Sequence, residues 1–120
     1  AWVVHGGGLD ELTLGGPTTV TEVDGESLRT FTVTPGDAGL ESAGVEALQG
    51  GGPEDNAAIA REVLAGAPGP RRDVVVLNAA AALVVAGRAT SLRDGAEQAA
   101  AAIDEGRVRA LLDRLQKELA

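Results

Sequence analysis

Apolar positions along this chain change their period more than once. Residues 1–4 (AWVV) form a short unbroken apolar run, which reads as the tail of a buried strand, and Gly6-Gly7-Gly8 reads as the loop that leaves it. Two stretches rich in β-branched side chains follow, TTVTEV (18–23) and LRTFTV (28–33). Asp24-Gly25 lies in the four-residue connection between them, which predicts an antiparallel hairpin. Residues 35–44 read as a loop, with a short helical turn at 45–49.

From residue 53 the pattern turns helical. Pro53 suits a first helical position, Glu54 and Asp55 favour the positive end of a helix, and Gly66 ends the run. GAPGP (66–70) is a linker. Residues 71–87 (RRDVVVLNAAAALVVAG) open on β-branched side chains, but their length and alanine run predict a buried helix closed by Gly87. Ser91 with Asp94 three residues later resembles a capping box and predicts a helix through Ile103. Val108, Leu111, Leu112, Leu115 and Leu119 recur at helical spacing, predicting an amphipathic terminal helix with its stripe toward the core, an oligomer seam being the less simple alternative. Strand, hairpin and about four helices belong to an α/β layer, a fragment of a mixed parallel/antiparallel sheet packed with helices.

Composition sharpens this picture. The 120 residues include one Trp, one Phe, no Tyr and no Met, so the core consists of Ala, Val and Leu and needs closely packed helices. Without cysteine there is no disulfide and no thiolate metal site. No apolar stretch is long enough for a bilayer, and the chain reads as cytoplasmic. Net charge is −8 and uneven. Residues 1–70 hold eleven acids against Arg29 and Arg61, a balance of −9; residues 71–120 hold eight bases and seven acids, a balance of +1. Such a front half repels nucleic acid, and a phosphate ligand there needs a bridging cation or bases supplied from elsewhere.

The candidate chemistry lies in HGGGLDEL (5–12). Asp10 and Glu11 either ligate a metal or cap a turn. Gly6, Gly7 and Gly8 either donate backbone N–H groups to phosphate or make a tight turn, and the two roles are compatible. His5, the only histidine, reads as a hydrogen-bonded structural residue rather than a proton donor. Asn78 interrupts an apolar helix and must be hydrogen-bonded, which predicts that it ties the helix to neighbouring backbone. Arg71 and Arg72 have Glu54, Asp55 and Glu62 as candidate partners. Trp2 reads as an exposed ring at a severed strand edge, a place for self-association.

Five segments taken in order resemble one family: VVHGGGLDEL (3–12), GPTTVTEV (16–23), TPGDAGL (34–40), GGPEDNAAIAREVLAG (51–66) and RRDVVVLNAAAALVVAG (71–87). The chain resembles the C-terminal part of anthranilate phosphoribosyltransferase, from about residue 2 to residue 115. The resemblance implies a Mg2+-dependent glycosyltransferase of tryptophan biosynthesis. It transfers phosphoribosyl from phosphoribosyl pyrophosphate to anthranilate, with Asp10 and Glu11 as metal ligands. It also implies that residues 1–120 are the C-terminal portion of the α/β domain. The family's N-terminal helical domain, Gly-rich phosphate loop, Lys-His-Gly-Asn segment and anthranilate-contacting arginine have no counterpart here. The isolated chain is therefore expected to be inactive, with no catalytic residue assigned. Two other readings are a folded, self-associating fragment without activity, and a related nucleoside phosphorylase; LDEL and PEDN favour the anthranilate enzyme over the latter.

Overall fold

A computed structural model describes all 120 residues. Three strands, β1 (Trp2–His5), β2 (Thr18–Asp24) and β3 (Ser27–Val33), precede four helices, α1 (Pro53–Leu64), α2 (Pro70–Val85), α3 (Leu92–Asp104) and α4 (Arg107–Leu119). Two short 3-10 turns, Pro35–Ala38 and Val45–Leu48, lie between β3 and α1 in the sequence. The architecture is α/β, as expected. The expected parallel pairing is not found: the sheet has the order β1-β2-β3 and both pairings are antiparallel. The reason is topological. Every helix follows the last strand, so no strand–helix–strand crossover exists to return a strand parallel to its neighbour.

Alternation decides which face of the sheet is covered. Val4, Val20 and Phe31 form one cross-strand row, and Thr18 with Val33 another, all buried or half-buried on the inner face. The outer face carries Val3, His5, Thr19, Thr30 and Thr32, all exposed. One covered and one open face is the ordinary state of an antiparallel sheet. The hairpin is tighter than its sequence predicts: Asp24 pairs with Ser27, so only Gly25 and Glu26 connect the strands.

Trp2 is half-buried rather than exposed. Its register opposite Glu22, itself opposite Arg29, places the three side chains in one row. The indole N–H donates to Glu22 Oε2 (3.0 Å), and the ring meets Phe31 edge-on at 5.5 Å. Arg29 closes the cluster, 4.8 Å above Phe31 and 3.4 Å from Glu22.

Only 19 of 120 residues are buried, so the core is thin and each contact in it matters. Leu12, Leu14, Val20 and Val33 meet Val76, Leu77, Ala80 and Ala81 of α2, with Ala96, Ala99 and Ile103 of α3 behind them. The small side chains allow a close crossing, since a Cβ added at Gly95 of α3 would lie 2.8 Å from the Ala80 carbonyl oxygen of α2. The start of α3 follows its sequence signature: the Asp94 N–H donates to Ser91 Oγ (3.1 Å), and the Asp94 carboxylate accepts from the Thr90 N–H (3.0 Å).

The terminal helix departs from expectation. α4 buries no residue; Leu111 is 54% exposed, Leu115 45% and Leu119 84%. The core layer ends at Ile103, and the left-handed turn at Gly106 directs α4 away from it, with Val108 and Leu112 half-buried. Arg71 and Arg72 also find different partners. Arg72 makes a two-pronged pair with Asp104 at the end of α3 (2.8 and 3.0 Å), and Arg71 donates to the Gln49 carbonyl just after the second 3-10 turn (2.8 Å).

Candidate functional site

The segment from His5 to Gly15 forms a loop at the carboxyl end of β1, and its geometry comes from backbone demands. Gly6 and Leu9 exchange both hydrogen bonds, with the Gly6 N–H donating to the Leu9 carbonyl at 3.1 Å and the Leu9 N–H to the Gly6 carbonyl at 2.9 Å. The two residues between them have φ of 56° at Gly7 and 82° at Gly8, the left-handed pair that a tight reversal requires and that side chains resist. Gly6 answers to a different demand. A Cβ there would lie 2.5 Å from Thr18 Oγ1 and 2.8 Å from Thr13 Cγ2, so β1 and the returning loop could not approach as they do. The tight-turn role of the three glycines is thus met. Gly6 and Leu9 use their N–H groups inside the turn, while Gly7 and Gly8 are exposed.

Beyond the turn the loop is held from two sides. The Thr13 N–H donates to Thr18 Oγ1 (3.1 Å), and the Gly15 N–H donates to Thr13 Oγ1 (3.0 Å). From α2, Asn78 grips Leu12: the Leu12 N–H donates to Asn78 Oδ1 (3.0 Å), and Asn78 Nδ2 donates back to the Leu12 carbonyl (3.0 Å). The same Nδ2 donates to the Val74 carbonyl within the helix (3.0 Å). Asn78 therefore ties helix to backbone, as its place in an apolar helix requires. Its partner, 66 residues away in sequence, is the addition from the tertiary structure. The roles of Thr13 and Thr18 had no signal in the sequence beyond the hydroxyls themselves.

Asp10 and Glu11 are both exposed, and the hydrogen bonds that shape this loop come from Thr13, Thr18, Asn78 and the backbone. Neither acid is in an ion pair; those join Arg29 to Glu22, Arg72 to Asp104 and Arg107 to Glu105. The carboxylates do not cap the turn and remain available as ligands. No cluster of three or more His, Cys, Asp or Glu side chains forms around them. Two hard oxygen donors alone suit Mg2+, which keeps several waters and takes one or two carboxylates together with substrate phosphate. The residues present fit that ion. His5 is exposed at the end of β1, on the open face of the sheet, and is not the hydrogen-bonded structural residue its position suggested.

Four groups of the helical layer have shifted ionisation. The Thr90 N–H, then Gln98, hold Asp94 below the usual aspartate range, and Arg72 does the same for Asp104. Burial pushes Asp73 up, against the pull of Arg72. The hydrogen bond to Asp104 raises Arg72. An open groove of about 670 Å³ lies between α1 and α2, lined by Ile59, Val63, Leu64 and Val74, with Arg71 and Asn56 at its margin. It contains no carboxylate and does not involve the loop. No helix is long and apolar enough to cross a membrane.

Known proteins are similar to this chain in sequence and in fold. The anthranilate phosphoribosyltransferase of Azorhizobium caulinodans is 53% identical over 118 residues, covering 98% of this chain and 34% of that protein. The one from Rhodopseudomonas palustris (strain BisB5) is 56% identical over 115 residues, covering 95% and 34%. Among solved structures, the anthranilate phosphoribosyltransferase of Thermus thermophilus superposes with a TM-score of 0.86 at 44% identity, covering 95% of this chain and 34% of that one. The Saccharomyces cerevisiae enzyme in complex with PRPP and Mg superposes with a TM-score of 0.85 at 30% identity, covering 93% and 33%. The chain thus spans about a third of the length of the curated relatives it matches. Residues 1–109 match the model of the glycosyl transferase family, a/b domain, and the chain belongs to that family.

Proposed function

We propose that this chain is the C-terminal portion of the α/β domain of an anthranilate phosphoribosyltransferase and supplies the metal-holding corner of its site. One observation carries this reading: Asp10 and Glu11 stand exposed and uncommitted between two backbone anchors, in a chain whose relatives bear that name. In the reaction, the anthranilate nitrogen bonds to the ribose carbon, the bond to pyrophosphate breaks, and the nitrogen loses a proton. Mg2+, when bound, supplies positive charge against the pyrophosphate oxygens. Asp10 and Glu11 are the residues that would hold it. Gly7 and Gly8 turn exposed backbone toward the same end of β1, where N–H groups can meet phosphate. The net charge of −9 over residues 1–70 opposes a polyphosphate by itself, so a bridging cation, or bases supplied from elsewhere, would have to offset it. The family's helical domain, phosphate loop and anthranilate contacts would belong to the two-thirds of the relatives' length that this chain does not span. A cytoplasmic location goes with that role.

Anthranilate fluorescence tests the reading. The 120-residue chain with phosphoribosyl pyrophosphate and Mg2+ is expected to give a flat trace. A chimera in which this chain replaces the matching third of the Thermus thermophilus enzyme is expected to consume anthranilate. A folded but inert chimera argues against the assignment, and turnover by the chain alone argues against its being a portion of the site.

A second reading, self-association, rests on the free edge of β1. Ala1 and Val23 exchange two hydrogen bonds, so by alternation Trp2 and Val4 turn their backbone groups away from β2. Beside this edge runs a groove of about 420 Å³ lined only by apolar residues, among them Trp2, Val4, Ala82 and Val85. A second copy adding its own β1 antiparallel would pair both edges. Sedimentation over a concentration series is expected to show a dimer, and a monomer throughout removes this reading.

A further inference from the structure

Asp10 and Glu11 occupy the whole span between two fixed points. On one side, Leu9 is locked to Gly6 by paired hydrogen bonds. On the other, Leu12 is locked by Asn78 through its N–H and its carbonyl, both at 3.0 Å. The Leu12 N–H belongs to the Glu11–Leu12 peptide plane, and the Leu12 carbonyl to the Leu12–Thr13 plane. The second plane is also held by the Thr13 N–H on Thr18 Oγ1 (3.1 Å). Two consecutive peptide planes after Glu11 are therefore fixed, the first of them by Asn78, which comes from a helix that is otherwise apolar at this level. Asn78 is itself steadied by its bond to the Val74 carbonyl. Leu12 is 3% exposed, so water offers little replacement for these bonds.

We propose that Asn78 is a positioning residue for the Asp10–Glu11 pair, setting the direction in which the two carboxylates face a divalent cation. The inference rests on the metal reading given above. Without Asn78 the span keeps its glycine anchor and loses the Leu12 anchor. The carboxylates then sample a broader set of positions, and ordering them becomes part of the cost of binding. Residues that orient metal ligands from behind commonly change metal affinity by about 10–100-fold when replaced.

The test uses the 120-residue chain, Mn2+ with and without inorganic pyrophosphate, and two NMR readouts that do not depend on activity. One is paramagnetic broadening of the amide signals of residues 9–12; the other is hydrogen exchange at the Leu12 amide. Asn78→Ala is expected to weaken Mn2+ binding about tenfold or more and to release Leu12 protection, while Val20 and Phe31 keep theirs. Asn78→Asp guards against a variant that fails to fold. It keeps the acceptor for the Leu12 N–H and loses the donor to the Leu12 carbonyl, so partial protection and an intermediate affinity are expected. Asp10→Asn with Glu11→Gln is the control for the metal reading. If that double variant binds Mn2+ as the unaltered chain does, the metal reading fails and takes this inference with it. If the double variant loses Mn2+ while both Asn78 variants bind it unchanged, the metal reading stands and the role of Asn78 is overturned.

Discussion

In the Thermus thermophilus chimera, replacing Asp10 with Asn and Glu11 with Gln is expected to lower kcat/KM by about 10²–10³, the usual scale for losing a preorganised electrostatic partner of a developing charge. Stability should barely change. Both side chains are exposed and stand apart from the bonds that hold the loop, and such surface replacements stay within about 0.5 kcal/mol. The sign is as informative as the size. If the two acids were only solvated charges, neutralising them would reduce repulsion of a polyanion and tighten phosphoribosyl pyrophosphate binding. If they hold the cation, the same change weakens binding despite the more favourable net charge. Steady-state kinetics against Mg2+ and phosphoribosyl pyrophosphate separate these cases, and unchanged or improved kcat/KM would remove both residues from the site.

Gly95→Ala should destabilise the chain, although replacing glycine inside a helix ordinarily helps. Alanine gains up to about 1 kcal/mol in helix propensity. Against that, a Cβ at residue 95 would sit 2.8 Å from the Ala80 carbonyl oxygen, 2.9 Å from its Cα and 3.1 Å from its Cβ. The obstacle is helix backbone, which cannot rotate aside as a long side chain would. Relief requires α2 and α3 to separate, and overpacking of this kind costs about 1–3 kcal/mol or more. The clash wins. A net loss of about 1–2 kcal/mol corresponds to a fall in Tm of roughly 5–10 °C for a chain of this size. Glu97→Ala on the exposed side of the same helix supplies the comparison and should leave Tm nearly unchanged. A rise in Tm for Gly95→Ala would mean that the two helices pack less closely than these distances require. With so few buried residues, loosening this crossing also reaches Asn78, two residues before Ala80 on α2, and through it the loop.

Local rules fail in this chain where long-range partners decide. The four-residue connection predicted at Asp24-Gly25 is a two-residue one because strand register continues to Asp24 and Ser27. The leucine stripe of α4 reads as core-facing because periodicity reports an apolar side without saying what stands opposite it. The fold places α1 and α3 beside α4 and leaves Leu111, Leu115 and Leu119 largely in solvent. Arg72 meets Asp104, 32 residues away, rather than an acid nearby in sequence. His5 takes the outer face of β1 because strand alternation gives the inner one to Trp2 and Val4.

By itself the sequence determined the kind and order of the elements, since periodicity, the Ser91–Asp94 cap and the glycine stops act within a few residues of one another. It also placed the Asp10–Glu11 pair directly after a glycine turn, and the ordered motifs carried the family. A local turn, Gly6 with Leu9, holds one side of the pair; tertiary structure alone decided that the acids are left uncommitted and that the Leu12 side is anchored. The bonds that achieve this come from Thr18 in β2 and Asn78 in α2, and no local pattern specifies which backbone a buried hydroxyl or amide will meet. Folding brings those partners within 3.0–3.1 Å of the loop because buried polar groups must be paired, and the loop's own N–H and carbonyl groups are the ones within reach.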